Sequence, residues 1–167
     1  MVDRVLGEVE AHCLARGGRP GPGVNNFVPN DPVAAFTTAQ TIIRERVIDE
    51  YVAVAPEGHI YGWFFEQLGA PVRSLHVDYP PTRCRSEGDL SALRDRRVLV
   101  IEDDVIGGAT LRLVVAHREA ILPRSLALFL GHTRGVQHLE NVHARFEGTW
   151  VAEGGDGDDF LEFFGGR

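Results

Sequence analysis

The 167-residue chain contains no lysine: all 17 of its basic residues are arginine. That omission excludes every mechanism that needs a lysine, among them a Schiff base, a P-loop lysine and a lysine general base. Cysteine is scarce too. Cys13 and Cys84 lie far apart and match no metal-ligand or redox spacing, which argues against a disulfide framework. The seven histidines include no helical i, i+4 pair with a glutamate. No apolar run approaches the ~20 residues of a membrane span. The opening Met1-Val-Asp-Arg-Val-Leu-Gly-Glu8 lacks the basic-then-apolar layout of a secretory leader. A cytoplasmic protein without a membrane partner is the expectation. The net charge of −7 repels nucleic acid as well, so no nucleic-acid partner is expected.

What is present is ordinary for a soluble domain: 44% hydrophobic and 25% charged residues, in a length that suits one core. Val2, Val5, Leu6, Val9 and Cys13 share a helical face and predict a helix over Val2–Arg16. Gly17-Gly-Arg-Pro-Gly-Pro-Gly23 then breaks regular structure. Asp31-Pro32 reads as a cap followed by proline at the first helical position. The helix it starts should run to about Glu50, with Phe36, Ile43 and Val47 inward.

Beyond this point strands and helices alternate. Strands are expected at Tyr51–Ala55, Arg73–Val77, Val98–Ile101, Ser125–Leu130 and, as a fifth, Ala144–Val151. Helices are expected at His59–Leu68 and Leu111–Leu122, and a polar loop from Asp78 to about Arg97. Glu153–Asp159, rich in glycine and acid, reads as a loop or strap. Phe160, Leu161, Phe163 and Phe164 beyond it need a surface to dock on, in this chain or a partner subunit. Trp63, Phe64 and Phe65 read as core or interface, Trp150 as a strand aromatic, and His132, His138 and His143 as surface residues. The alternation predicts an α/β fold: a doubly wound, mostly parallel sheet of four to five strands flanked by helices, in a single domain over 1–167.

In such a sheet, ligands bind beyond the carboxyl ends of the strands. The strand Val98–Ile101 delivers Glu102-Asp-Asp104 to that edge, followed by Val105-Ile-Gly-Gly-Ala-Thr110 and a helix. A glycine-containing turn into a helix N-terminus gathers unpaired N–H groups and suits a phosphate. Gly107 and Gly108 let the backbone approach, and Thr110 adds a hydroxyl. The carboxylates before the turn would repel phosphate; they suit sugar hydroxyls, or magnesium held directly or through water. Phosphate at one end and a diol at the other describe a ribose 5-phosphate.

Val98-Leu-Val-Ile-Glu-Asp-Asp-Val-Ile-Gly-Gly-Ala-Thr110 resembles the thirteen-residue PRPP-binding signature of type I phosphoribosyltransferases: four apolar residues, two acids, and a loop ending Gly-x-Thr. The resemblance implies that Glu102 and Asp103 meet the ribose hydroxyls, and magnesium indirectly. Ile106, Gly107, Gly108, Ala109 and Thr110 would wrap the 5-phosphate. Glu57, Gly58 and His59, in Ala55-Pro-Glu-Gly-His59, sit where the family has its pyrophosphate loop. Asp78–Arg97 falls where it has a mobile loop, whose Arg83 and Arg85 would reach the pyrophosphate. The layout implies a core of about 47–150, with a hood from 1–46 and 151–167 that selects the base. Partners implied are PRPP, a small-molecule acceptor and a second copy in a homodimer, with Mg2+ as cofactor.

The chain also departs from the family. Asp104 stands where an apolar residue is usual, so a second, gapped register would make Asp103 and Asp104 the acid pair; the ungapped register is preferred. Ile106 replaces a threonine or aspartate, Gly107 removes a hydroxyl, and Glu57 stands where many members carry Lys or Arg. Two readings follow. One is a phosphoribosyltransferase joining ribose 5-phosphate from PRPP to a nitrogenous acceptor with release of pyrophosphate. The other is a binding protein on the same fold that senses PRPP or a nucleotide without turnover. A second resemblance, to the first strand of a response-regulator receiver, fails because only 63 residues follow Asp104 and there is no lysine.

Overall fold

Alternate residues of the apolar strands face opposite layers in the computed structural model, which describes residues 1–19, 27–78, 83–86, 90–104, 109–119, 123–132 and 146–166. Tyr51, Ala53, Leu99, Ile101, Ala127 and Phe129 belong to one core cluster. Val52, Val54, Val98, Val100, Leu126, Leu128 and Leu130 belong to the other. Burial on both faces is why these runs carry no polar residue.

The elements in order are α1 (Val2–Ala15), α2 (Pro32–Glu45), β1 (Glu50–Ala55), α3 (Gly58–Gln67), β2 (Val72–Asp78), β3 (Arg83–Ser86), a 3-10 turn (Leu90–Leu93), β4 (Arg97–Glu102), α4 (Ala109–Glu119), β5 (Ser125–Leu130), β6 (Thr149–Val151) and α5 (Gly157–Gly165). They build a mostly parallel sheet in the order β3-β2-β1-β4-β5-β6. β1 pairs in parallel with β2 and β4, and β5 with β4 and β6. Among the described strands only β3 runs antiparallel, against β2. The expected doubly wound α/β fold is present, with six strands among the described residues rather than four or five.

The extra strand lies inside the stretch expected to be a loop. Arg-Cys-Arg-Ser has no apolar alternation, but an edge strand paired on one side does not require it. The expected fifth strand is shorter than its pattern: residues 146–148 are not strand, and 144 and 145 lie outside the described residues.

The helices divide between the faces. α1, α2, α3 and α5 contribute to the first cluster, through residues such as Val9, Phe36, Phe64 and Phe160. α4 covers the second with Leu111, Val114 and Val115, joined by Leu93 and Phe146. α2 starts as the sequence dictates: Asp31 Oδ1 accepts the N–H groups of Val33 and Ala34, both at 3.0 Å. Its end is earlier than expected. Arg46 is already extended, and Val47 is 66% exposed instead of inward, because the chain must turn into β1 at Glu50. Phe36 is fully buried and Ile43 packs against the core.

The tail is also corrected. Asp156 Oδ1 accepts the Asp158 N–H and caps α5, so the expected loop over Glu153–Asp159 gives way to helix from Gly157 onward. Phe160, Phe163 and Phe164 find cover within this chain: all three ring-stack or edge-pack against Phe36, and Phe164 lies parallel to Trp63 at 5.5 Å. Leu161 stays largely exposed.

Candidate active site

The order of strands reverses between β1 and β4. α3 leaves the end of β1 on one face of the sheet, and α4 begins seven residues after β4 on the other. Helices that diverge this way leave a crevice at the carboxyl ends of the two strands. The acidic triplet sits there.

Glu102 is the last residue of β4 and is only 5% exposed. The parallel ladder continues past it: the Glu102 carbonyl accepts the Gly131 N–H at 3.0 Å, and the Asp103 carbonyl accepts the His132 N–H at 2.9 Å. Its Oε1 accepts the Asp103 N–H at 3.1 Å. Its Oε2 is buried and has no hydrogen-bond partner among the described residues. Burial first, and then the charge of Asp103, push the Glu102 carboxyl well above its usual range. An acceptor oxygen held dry without a donor is costly to the fold, and a ligand hydroxyl would satisfy it.

The turn between β1 and α3 lies against this strand end. A Cβ built on Gly58 would overlap the carbonyl oxygen of Ile101, so only glycine permits the approach. Glu57 beside it is raised by burial and then by the charge of Asp103. The first turn of α3 uses the His59 N–H on the Pro56 carbonyl and the Ile60 N–H on the Glu57 carbonyl. The His59 ring is buried, with Nε2 2.8 Å from Ser74 Oγ.

Two neighbours of the triplet were not apparent in the sequence. His132, expected on the surface, stands at the end of β5 with Nε2 3.5 Å from Asp104 Oδ2. The Asp104 side chain is nearly buried. Tyr61 is buried on α3 and lies against Gly131. Burial pushes its hydroxyl up to about 12, opposed by a bond to the backbone of Asn30 and assisted by Asp103, Asp104 and Asp31. The β4–β5 register was the missing signal, since it sets residues 131 and 132 beside 102 and 103.

Other sequence-predicted residues are placed only in part. Ile106, Gly107 and Gly108 lie outside the described residues; Ala109 and Thr110 open α4. Arg83 and Arg85 lie on β3, registered with Asp78 and His76. His138 and His143 lie outside the described residues. Among the described residues no group of three or more His, Cys, Asp or Glu side chains could hold a metal ion.

The architecture is that of the type I phosphoribosyltransferase-like doubly wound fold. A hypoxanthine-guanine phosphoribosyltransferase from Bacillus anthracis superposes with a TM-score of 0.52 at 13% identity, covering 72% of this chain and 76% of that one. A second structure of that enzyme, with HEPES in its active site, gives 0.52 at 14% identity, over 72% and 73%. The AQ2163 protein from Aquifex aeolicus gives 0.55 at 12% identity, over 71% and 70%. No family model and no curated protein sequence matches the chain. Identities this low establish a shared fold.

Proposed function

We propose that this protein is a phosphoribosyltransferase that moves ribose 5-phosphate from PRPP to a nitrogenous acceptor and releases pyrophosphate. The observation that carries the reading is Glu102: a buried carboxyl group at the switch point, with one oxygen lacking a partner among the described residues, inside a sequence patterned as a PRPP signature. In this reading the ribose hydroxyls donate to Glu102 and Asp103. The loop Ile106–Thr110 takes the 5-phosphate at the start of α4. The Gly58 N–H, at the first position of α3, faces the pyrophosphate, and Arg83 and Arg85 supply positive charge to it.

Magnesium fits the donor set. Glu102 and Asp103 offer hard oxygen ligands, and Mg2+ is commonly held by one or two carboxylates together with substrate phosphates and water rather than by a protein cage. When bound it would neutralise charge on the pyrophosphate. The transition state has oxocarbenium character, as in other glycosyl transfers. The protein's contribution is to hold the sugar by its hydroxyls and phosphate while the leaving group departs. No side chain is assigned as a general base.

Glu57 favours a second reading, a PRPP or nucleotide sensor without turnover. It places an acid beside Asp103 at the turn where pyrophosphate would lie, and repulsion there weakens a polyanion. Release of pyrophosphate from PRPP and magnesium across a panel of nucleobases separates the two. Turnover with any acceptor establishes the transferase; saturable binding without turnover establishes the sensor; the absence of both binding and turnover overturns both readings.

A further inference from the structure

We propose that His59 and Ser74 form a positioning pair that holds the Glu57–Gly58 turn in place against Glu102 and Asp103; the inference rests on the phosphoribosyl reading of this crevice.

The turn crosses the end of β1, and it is fixed to both strands that flank β1. On the β4 side, Gly58 lies so close to Ile101 that no side chain fits between them. On the β2 side, the next residue, His59, makes the 2.8 Å bond from Nε2 to Ser74 Oγ. Both partners are buried, His59 completely. Ser74 is paired with Ala53 across β1–β2, so the bond ties the start of α3 to the sheet itself. A third element closes the arrangement: the His12 ring of α1 packs edge-on to His59 at 5.7 Å, and His12 Nδ1 lies 3.0 Å from the Arg16 guanidinium.

A buried imidazole–hydroxyl bond is a poor way to fill a core. Desolvation of both groups offsets most of its strength, and an apolar pair would pack there without that cost. What the bond adds is direction. A leucine at 59 could slide along β2 with little change in energy, whereas the His59–Ser74 pair accepts one register. That register sets the Gly58 N–H and the Glu57 carboxyl relative to the acids at the end of β4. The pair touches no ligand; it acts through the turn.

Ser74→Ala removes the bond with little change in packing, and His59→Gln keeps a polar group that can reach Ser74 Oγ. Two measurements decide the proposal. Amide hydrogen exchange of residues 56–61, in protein without ligand, should accelerate about tenfold in Ser74→Ala and stay near the parent rate in His59→Gln. KM for PRPP in the pyrophosphate-release assay should rise about tenfold in Ser74→Ala, with kcat changed less than about twofold, and stay near the parent value in His59→Gln. Unchanged exchange in Ser74→Ala overturns the proposal, and so does faster exchange with an unmoved KM. If the parent itself neither binds nor turns over PRPP, the phosphoribosyl reading falls. The exchange comparison then decides the pair alone, with acceleration supporting it and no change overturning it.

Discussion

The ring of Tyr61 occupies the space into which a side chain at Gly131 would project, so a Cβ there would overlap Cζ and Cε2 of the ring. Gly131 follows β5 directly, and Tyr61 comes from the middle of α3, so the two residues close the sheet edge beside the acidic triplet. Gly131→Ala should cost about 1–3 kcal/mol by overpacking, which lowers Tm by about 2–4 °C for each kcal/mol. In a Tyr61→Ala background the same change meets no ring and should cost less than about 0.5 kcal/mol. Urea unfolding of the four proteins gives the coupling directly. Additive costs would show that Gly131 is required for some other reason.

The carboxyl-terminal helix belongs to the fold of its own chain. Phe164 is buried against Phe36 and Trp63, and Phe164→Ala should destabilise by about 3–5 kcal/mol. Leu161 on the same helix is 51% exposed, and Leu161→Asn should fall within about 0.5 kcal/mol of the parent. Equal effects in denaturant unfolding would contradict the docking of α5 seen here.

Asp49 ties the start of β4 to the segment before β1. Its Oδ2 accepts the Arg97 backbone N–H at 2.8 Å and Nε–H at 3.0 Å, and its Oδ1 accepts from the guanidinium at 2.9 Å. These bonds, the side-chain ones first, hold the carboxyl down at about 2. A lowered folded-state pKa gives stability that is complete above the ordinary value near 4 and disappears as pH falls from there to about 2. The gap between parent and Asp49→Asn should therefore be constant at neutral pH and close over that acid window. A gap independent of pH would mean that geometry, not charge, carries the interaction.

Local chemistry made much of this fold legible. Val98–Ile101 had to be a central strand because four consecutive apolar residues suit burial on both faces, and Asp31-Pro32 carries its own cap. Features set by tertiary contacts were not legible. Val47 continues the helical spacing of α2, yet the return to β1 ends the helix first. Gly157-Asp-Asp reads as loop, yet three phenylalanines on one side draw it into a helix against Phe36. The same division holds at the site. Glu102 and Asp103 are visible as acids at a strand end, whereas Asp104 with His132, and Tyr61 with Gly131, depend on how β4, β5 and α3 pack.

The acidic triplet gives the most discriminating test. Glu102 carries a raised pKa, so in the empty protein its contribution to stability is complete below its ordinary value near 4.5 and is lost as pH rises toward the folded-state value. Glu102→Gln should remove that loss, leaving the empty protein as stable as the parent or more so at neutral pH. A tenfold change in proton affinity alone is worth about 1.4 kcal/mol. The same variant, and Asp103→Asn, should abolish the thermal stabilisation that PRPP with magnesium gives the parent by mass action. Asp104 is the internal control, because its nearly buried carboxylate lies beside His132 rather than at a ribose hydroxyl in the preferred register. Asp104→Asn should therefore keep most of the ligand-induced shift. A thermal-shift series with and without ligand reads all of these together. If Asp104→Asn proves as damaging as Asp103→Asn while Glu102→Gln is harmless, the gapped register holds and the ribose sits one residue further along the chain.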